Sequence, residues 1–237
     1  MSVKRTIALL VFGIAIAGLR PAAADQIFVV SPPGLENTDG DAAGEDSNPP
    51  LRAQRLHPAA DFSALDGPHY ITGISLRADK LQATEAVGES SQFMMWLSTT
   101  DATDLSPTYA DNIGSDNTLV FDGAISLTYP ADGPVGGPQP WGTEIVFDTP
   151  FLYDPGQGNL LVDTDTPVES TGTEGFLFDL QSVSYGAFAG GDPTLASGDV
   201  AQFQLPTRFT VMPVPEPSSI VLALLGVIGF GLARRRR

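Results

Sequence analysis

The sequence predicts an all-β body, a single antiparallel β-sandwich of jelly-roll type, between two short terminal segments of different character. Three observations predict it. Short apolar or alternating runs recur along residues 25–213; clusters of Pro, Gly, Asn and Asp separate them; and no helical periodicity persists over three turns. The chain has 237 residues, 42% of them apolar, which is enough material for a packed core. No long low-complexity linker divides the body, so one domain is expected there.

The first element is residues 1–24. Lys4 and Arg5 precede the apolar stretch Thr6–Leu19, and Arg20-Pro21 leads into Ala22-Ala23-Ala24 before Asp25. A basic start, a short apolar run and a small-residue end make a secretory signal peptide, with cleavage expected between Ala24 and Asp25 and the Sec machinery as exporter. About 14 apolar residues at about 1.5 Å each reach only about 21 Å, short of a bilayer core of roughly 30 Å.

Within the body, Gln26–Ser31 reads as a buried first strand and Pro32–Pro50 as a loop or arm. His57–Leu65 has the spacing of one short helix or turn. Tyr70–Ala78 alternates apolar and polar residues with the period of a half-buried strand, and Gln92–Ser98 is more fully apolar. Thr118–Phe121 and Ala124–Tyr129 flank Asp122-Gly123, a pair that favours a type I′ turn, so a hairpin is expected there. Thr143–Asp148, Asn159–Thr164, Gly175–Leu180, Ser184–Phe188 and Ala201–Met212 continue the strands.

At the C-terminus, Pro215-Glu216-Pro217 is followed by the apolar run Ile220–Ala233 and then Arg234, Arg235, Arg236 and Arg237. The two prolines hold an extended, accessible stem, because Pro fixes φ and resists helix and ladder formation. The apolar run makes a short transmembrane helix, extended by snorkelling arginines that stay cytoplasmic. This order resembles the PEP-CTERM sorting signal of Gram-negative bacteria, which an exosortase recognises. The resemblance implies processing near the motif, transient anchoring in the inner membrane, and release to, or attachment at, the outer surface or an exopolysaccharide-rich biofilm matrix. It sets residues 214–237 apart from the body at 25–213.

A second resemblance rests on Pro49–Arg55, Ile71–Arg77, Leu97–Thr100 and Tyr153–Asp163. Their order is similar to that of an exported domain recurring in PEP-CTERM proteins. It implies fold and context, and no catalytic activity.

Charge narrows the partners. Residues 25–217 carry 28 acidic and five basic side chains, a net of −23, whereas the full chain stands at −16. Such a surface repels polyanions, which excludes nucleic acid, and attracts divalent cations. With no cysteine there is no disulfide framework and no thiolate chemistry. Only His57 and His69 offer an imidazole base, without a Gly-x-Ser-x-Gly elbow, so no enzyme is expected. Asn37, Asp39 and Asp41 place oxygen ligands at alternate positions, a candidate calcium loop, although Ala42 stands where an EF-hand requires glycine. Without that calcium the chain needs no cofactor. Trp141, after Gly136-Gly137-Pro138-Gln139-Pro140, is the aromatic candidate for stacking on a sugar ring, which makes a carbohydrate-binding module the alternative reading.

Overall fold

A computed structural model describes residues 26–46, 50–173 and 175–214. The signal-peptide cleavage at Ala24–Asp25, the stem Pro215–Pro217, the apolar run to Ala233 and the arginines Arg234–Arg237 lie outside the described residues. Among the described residues no helix is long and apolar enough to cross a membrane.

In chain order the strands are β1 Ile27–Ser31, β2 Ala42–Asp46, β3 Leu51–His57, β4 His69–Ser75, β5 Ala86–Thr100, β6 Thr118–Tyr129 and β7 Ile145–Tyr153. They continue as β8 Asn159–Thr166, β9 Thr171–Gly172, β10 Phe176–Ser182, β11 Phe188–Gly191, β12 Asp199–Ala201, β13 Phe203–Gln204 and β14 Thr207–Pro213. A 3₁₀ turn at Ala59–Phe62 and a one-turn helix α1 at Tyr109–Asn112 interrupt them. Pairing between these strands is antiparallel. One sheet has the order β1-β14-β4-β7, a second β12-β11-β3-β8-β5-β6 with β9 beside β5, and a third β13-β10-β2. The antiparallel, nearly all-β character expected from the sequence is what these ladders show.

The first sheet forms because its strands alternate. In β14, Phe209 and Val211 are fully buried while Met212 faces out, and β14 is hydrogen-bonded on both sides, to β1 and to β4. The main core lies between Phe209, Val211, Ile71, Ile74 and Phe151 of this sheet and Met95, Leu97, Leu160 and Val162 of the second. The short helix expected over His57–Leu65 is the 3₁₀ turn, whose Phe62 packs edge-on against Tyr153 and tilted against Phe209.

Three expectations need correction. The Asp122-Gly123 hairpin does not form: β6 runs straight through both residues, pairing Asp122 with Met94 and Gly123 with Phe93. The odd positions Phe121, Ile125, Leu127 and Tyr129 keep the strand period across the dipeptide, and the 15-residue β5 offers a partner along the whole length. A β-bulge between Ser90 and Phe93 lies opposite Ala124, next to the paired Gly123. The strand expected at Gln92–Ser98 is longer than its apolar run, because β5 already begins at Ala86 and continues to Thr100. Part of the Pro32–Pro50 arm is a strand, because β2 completes the sheet beside β10, although Ala-Ala-Gly-Glu-Asp carries no apolar alternation of its own.

Candidate functional site

The acidic arm is where the candidate metal residues fall. Asn37 and Asp41 are exposed. Asp41 accepts hydrogen bonds from the Ser182 backbone N–H at 2.7 Å and the Gln181 Nε2 at 3.0 Å. The Ser182 N–H holds its carboxyl below the usual carboxylate range. Asp39 instead meets Asp79 and Asp179, the three carboxylates bringing oxygens within 4.8 Å of one another.

Two of the few basic residues already sit in that cluster. Arg77 is 1% exposed, donates from Nε to Asp179 Oδ2 at 2.7 Å, and donates from Nη1 and Nη2 to the carbonyls of Leu35 and Thr38. Lys80 Nζ stands 2.9 Å from Asp39 Oδ2, an ion pair without hydrogen-bond geometry. Asp179 also accepts the Gly40 N–H at 2.8 Å, and a Cβ on Gly40 would come 2.0 Å from the Leu180 carbonyl oxygen. Only glycine allows that approach. Burial pushes the Asp179 carboxyl up, against the pull of Arg77, and burial likewise raises Asp79. The arrangement is an internal ion-pair network that latches the 32–41 arm onto β10.

Trp141 is half-buried rather than displayed. It bridges to the Arg77 backbone, and the guanidinium carbons of Arg77 and Arg208 lie 4.9 Å and 5.4 Å from its ring centroid. Arg208 also stacks on Phe28 at 4.8 Å. Its cation–π partners are side chains of the body. The sequence places Arg77 on the polar side of a strand; scarcity is the signal that was there to read. With five basic residues in so acidic a body, a buried carboxylate has few partners to choose from.

His57 is fully buried, and its Nδ1 lies 2.8 Å from both Ser31 Oγ and Gln204 Nε2, while Ser31 Oγ donates to Asp61 Oδ2 at 2.6 Å. Serine therefore stands between the imidazole and the carboxylate. In a hydrolytic triad the histidine stands between the other two. His69 lies in β4, and its Nδ1 stands 3.0 Å from the Gly67 carbonyl oxygen. Burial, reinforced by nearby Arg55, lowers His57 to about 3 from an ordinary value near 6.5. The unfolded chain takes up a proton below about pH 6.5 and the folded protein does not until about pH 3, so this stability is complete above 6.5 and falls with pH across that window. By pH 5 the loss is about 2 kcal/mol. Urea midpoints at pH 7.5 and 5 should therefore fall with acid in the wild type and change less in His57→Gln; equal pH dependence in the two would contradict it.

The chain leaves the body from an interior strand. Pro213, the last residue of β14, pairs with His69, and Ile27 at the start of β1 pairs with Val211, so both ends of the described body emerge at one end of the first sheet. One residue, Val214, separates β14 from Pro215. A family model described as the PEP-CTERM protein-sorting motif matches residues 213–237. The chain carries a PEP-CTERM protein-sorting motif. No curated protein and no solved structure is found to match the chain. The PEP-CTERM motif marks an exported, exosortase-targeted protein directed to the surface of a Gram-negative cell. Its match begins on the last residue of β14, so the motif and the folded body are joined with no spacer.

Proposed function

We propose that this PEP-CTERM protein is a displayed structural or interaction protein, a β-sandwich of jelly-roll type. It is exported through its signal peptide, held by its tail in the inner membrane, and then processed by exosortase for release to, or attachment at, the outer surface and its exopolysaccharide matrix. The observation that carries this reading is the junction: the sorting motif follows directly on β14, the strand paired on both sides within the first sheet. Processing near Pro215–Pro217 leaves that strand and its buried Phe209 and Val211 whole, so the body travels as an intact unit. In this reading the body is not an enzyme and needs no cofactor. Calcium acts as a counter-ion to the acidic surface, because Arg77 and Lys80 already answer the Asp39, Asp79 and Asp179 carboxylates.

Replacing Pro215, Glu216 and Pro217 together with alanine tests it. The expected product is exported, folded, unprocessed and membrane-bound, seen as a single heavier species in the membrane fraction. Processing that continues unchanged would remove exosortase recognition of this stem from the account.

A further inference from the structure

The outer face of the first sheet differs from the rest of the body. Residues directly opposed on neighbouring antiparallel strands share a face, and Phe209 and Val211 point inward, so Thr210 and Met212 each belong to an outward row. One row runs through Met212, Tyr70 and Leu152; the next runs through Phe28, Thr210, Gly73 and Val146. Phe28, Val146, Leu152 and Met212 are exposed, and Tyr70 is half-buried. Exposed hydrophobics gathered on one sheet face mark an interaction surface, whereas scattered ones need no explanation.

Charge sets the same face apart. The chain has 28 acidic side chains, yet β1, β4 and β14 contain no Asp or Glu, and β7 contains Asp148 alone. Glu144, just before β7, accepts a hydrogen bond from Thr210 Oγ1 and lies in the field of Arg208. The Arg208 guanidinium carbon stands 4.8 Å from the Phe28 ring centroid, which puts a positive charge behind the apolar residues. Anionic lipid headgroups repel carboxylates, so of the surfaces of this acidic body they favour the one without them.

The chain beyond β14 decides what covers the face. Met212 precedes Pro213, the last residue of that strand, and only residues 214–219 separate it from the apolar run that begins at Ile220. The seven steps from Pro213 to Ile220, at no more than about 3.5 Å each, span at most about 24 Å. A body of about 190 residues is roughly 40 Å across. The tether is shorter than the body is wide, so the surfaces beside Pro213 are the ones within reach of the bilayer. Leu152 lies two strands from β14, about 10 Å away, and the Phe28 row lies about 7 Å along the strand from Met212.

We propose that, while the tail is held, this face rests on the lipid surface of the same membrane, with Phe28, Leu152 and Met212 in the headgroup layer and the Arg208 charge behind them. The contact rests on the reading above that the tail is anchored there.

The test reconstitutes the full chain in vesicles of phosphatidylethanolamine and phosphatidylglycerol that contain a lipid with a photoreactive diazirine high in its acyl chain, and maps the labels by peptide mass. The expected labels fall on the apolar run Ile220–Ala233 and on Phe28, Tyr70, Leu152 and Met212, with none at the exposed Leu119 of the second sheet. Phe28→Glu with Leu152→Glu, two changes at exposed positions, should lose the labels on Tyr70 and Met212 and keep those on the tail. Where that double variant does not fold, Met212→Glu alone is read in its place, at Tyr70 and Leu152. Labels on the tail alone, as when a second copy covers the face, would overturn the inference and leave the anchored tail standing. Labels spread equally over both sheets, or face labels that persist in the folded variant, would overturn it as well. No label on the tail would overturn the anchoring, and the inference with it.

Discussion

Asp179→Ala is expected to lower the unfolding free energy by about 3–5 kcal/mol, the cost of leaving a buried charge without its partner. Arg77 and Asp179 are each 1% exposed, and Arg77 has no route to solvent through which to recover hydration. The Gly40 N–H loses its acceptor in the same substitution, which releases the 32–41 arm as well. Against a total stability of about 5–15 kcal/mol for a domain, such a loss decides whether the exported body survives. Arg77→Met with Asp179→Leu should be less damaging than the single change, since two apolar groups need no counter-charge. Recovery stays partial because the Leu35 and Thr38 carbonyls still lose their donor. Urea unfolding of the two variants and the wild type checks both statements. A single variant as stable as the wild type would contradict the latch.

Phe209→Ala carries the second large effect, about 3–5 kcal/mol for a fully buried aromatic truncated to a methyl. Phe209 touches the His57 ring edge-on with centroids 5.0 Å apart and the Phe62 ring at 5.2 Å, so its removal opens the main core where β14, β3 and the 3₁₀ turn meet. A shifted urea midpoint with an unchanged slope is the expected result. The neighbouring exposed Met212→Ala should change the midpoint little, because that side chain faces out of the sheet. Equal effects at the two positions would mean that β14 is not oriented as described. The comparison also bears on sorting, since the strand under test ends two residues before Pro215.

Much of this fold is legible in the sequence, and the misses share a cause. β14 is readable within Ala201–Met212 because its inward and outward residues alternate. β6 is readable too, but a favourable turn dipeptide outweighs an unbroken period of two when no partner strand is considered. Asp-Gly is a turn signal only where the flanking runs must pair with each other; here β5 pairs with both. β2 carries no local signal, since its place is set by the free edge of β10. The tertiary partners of the acidic arm are hidden from the sequence for the same reason. Spacing along the chain brings Asn37, Asp39 and Asp41 near one another, whereas folding turns Asp41 to Ser182 and brings Asp79 and Asp179 to Asp39. Trp141 follows a Pro/Gly-rich loop, and the two distant arginines that converge on its ring have no signal in the local sequence. The sorting stem is the opposite case. Its chemistry lies in residue order along a short segment, so no tertiary partner is needed to read it.

The central claim is that a folded body is exported and then parted from both of its terminal segments. Intact mass of the protein, recovered separately from membrane, surface and medium of its native host, tests this most directly. The account predicts a species in the surface or medium fraction that begins at Asp25 and ends near Glu216 or Pro217, with or without an added group. Recovery from the membrane alone, with Ile220–Arg237 still attached, would contradict it and make the chain a tail-anchored protein.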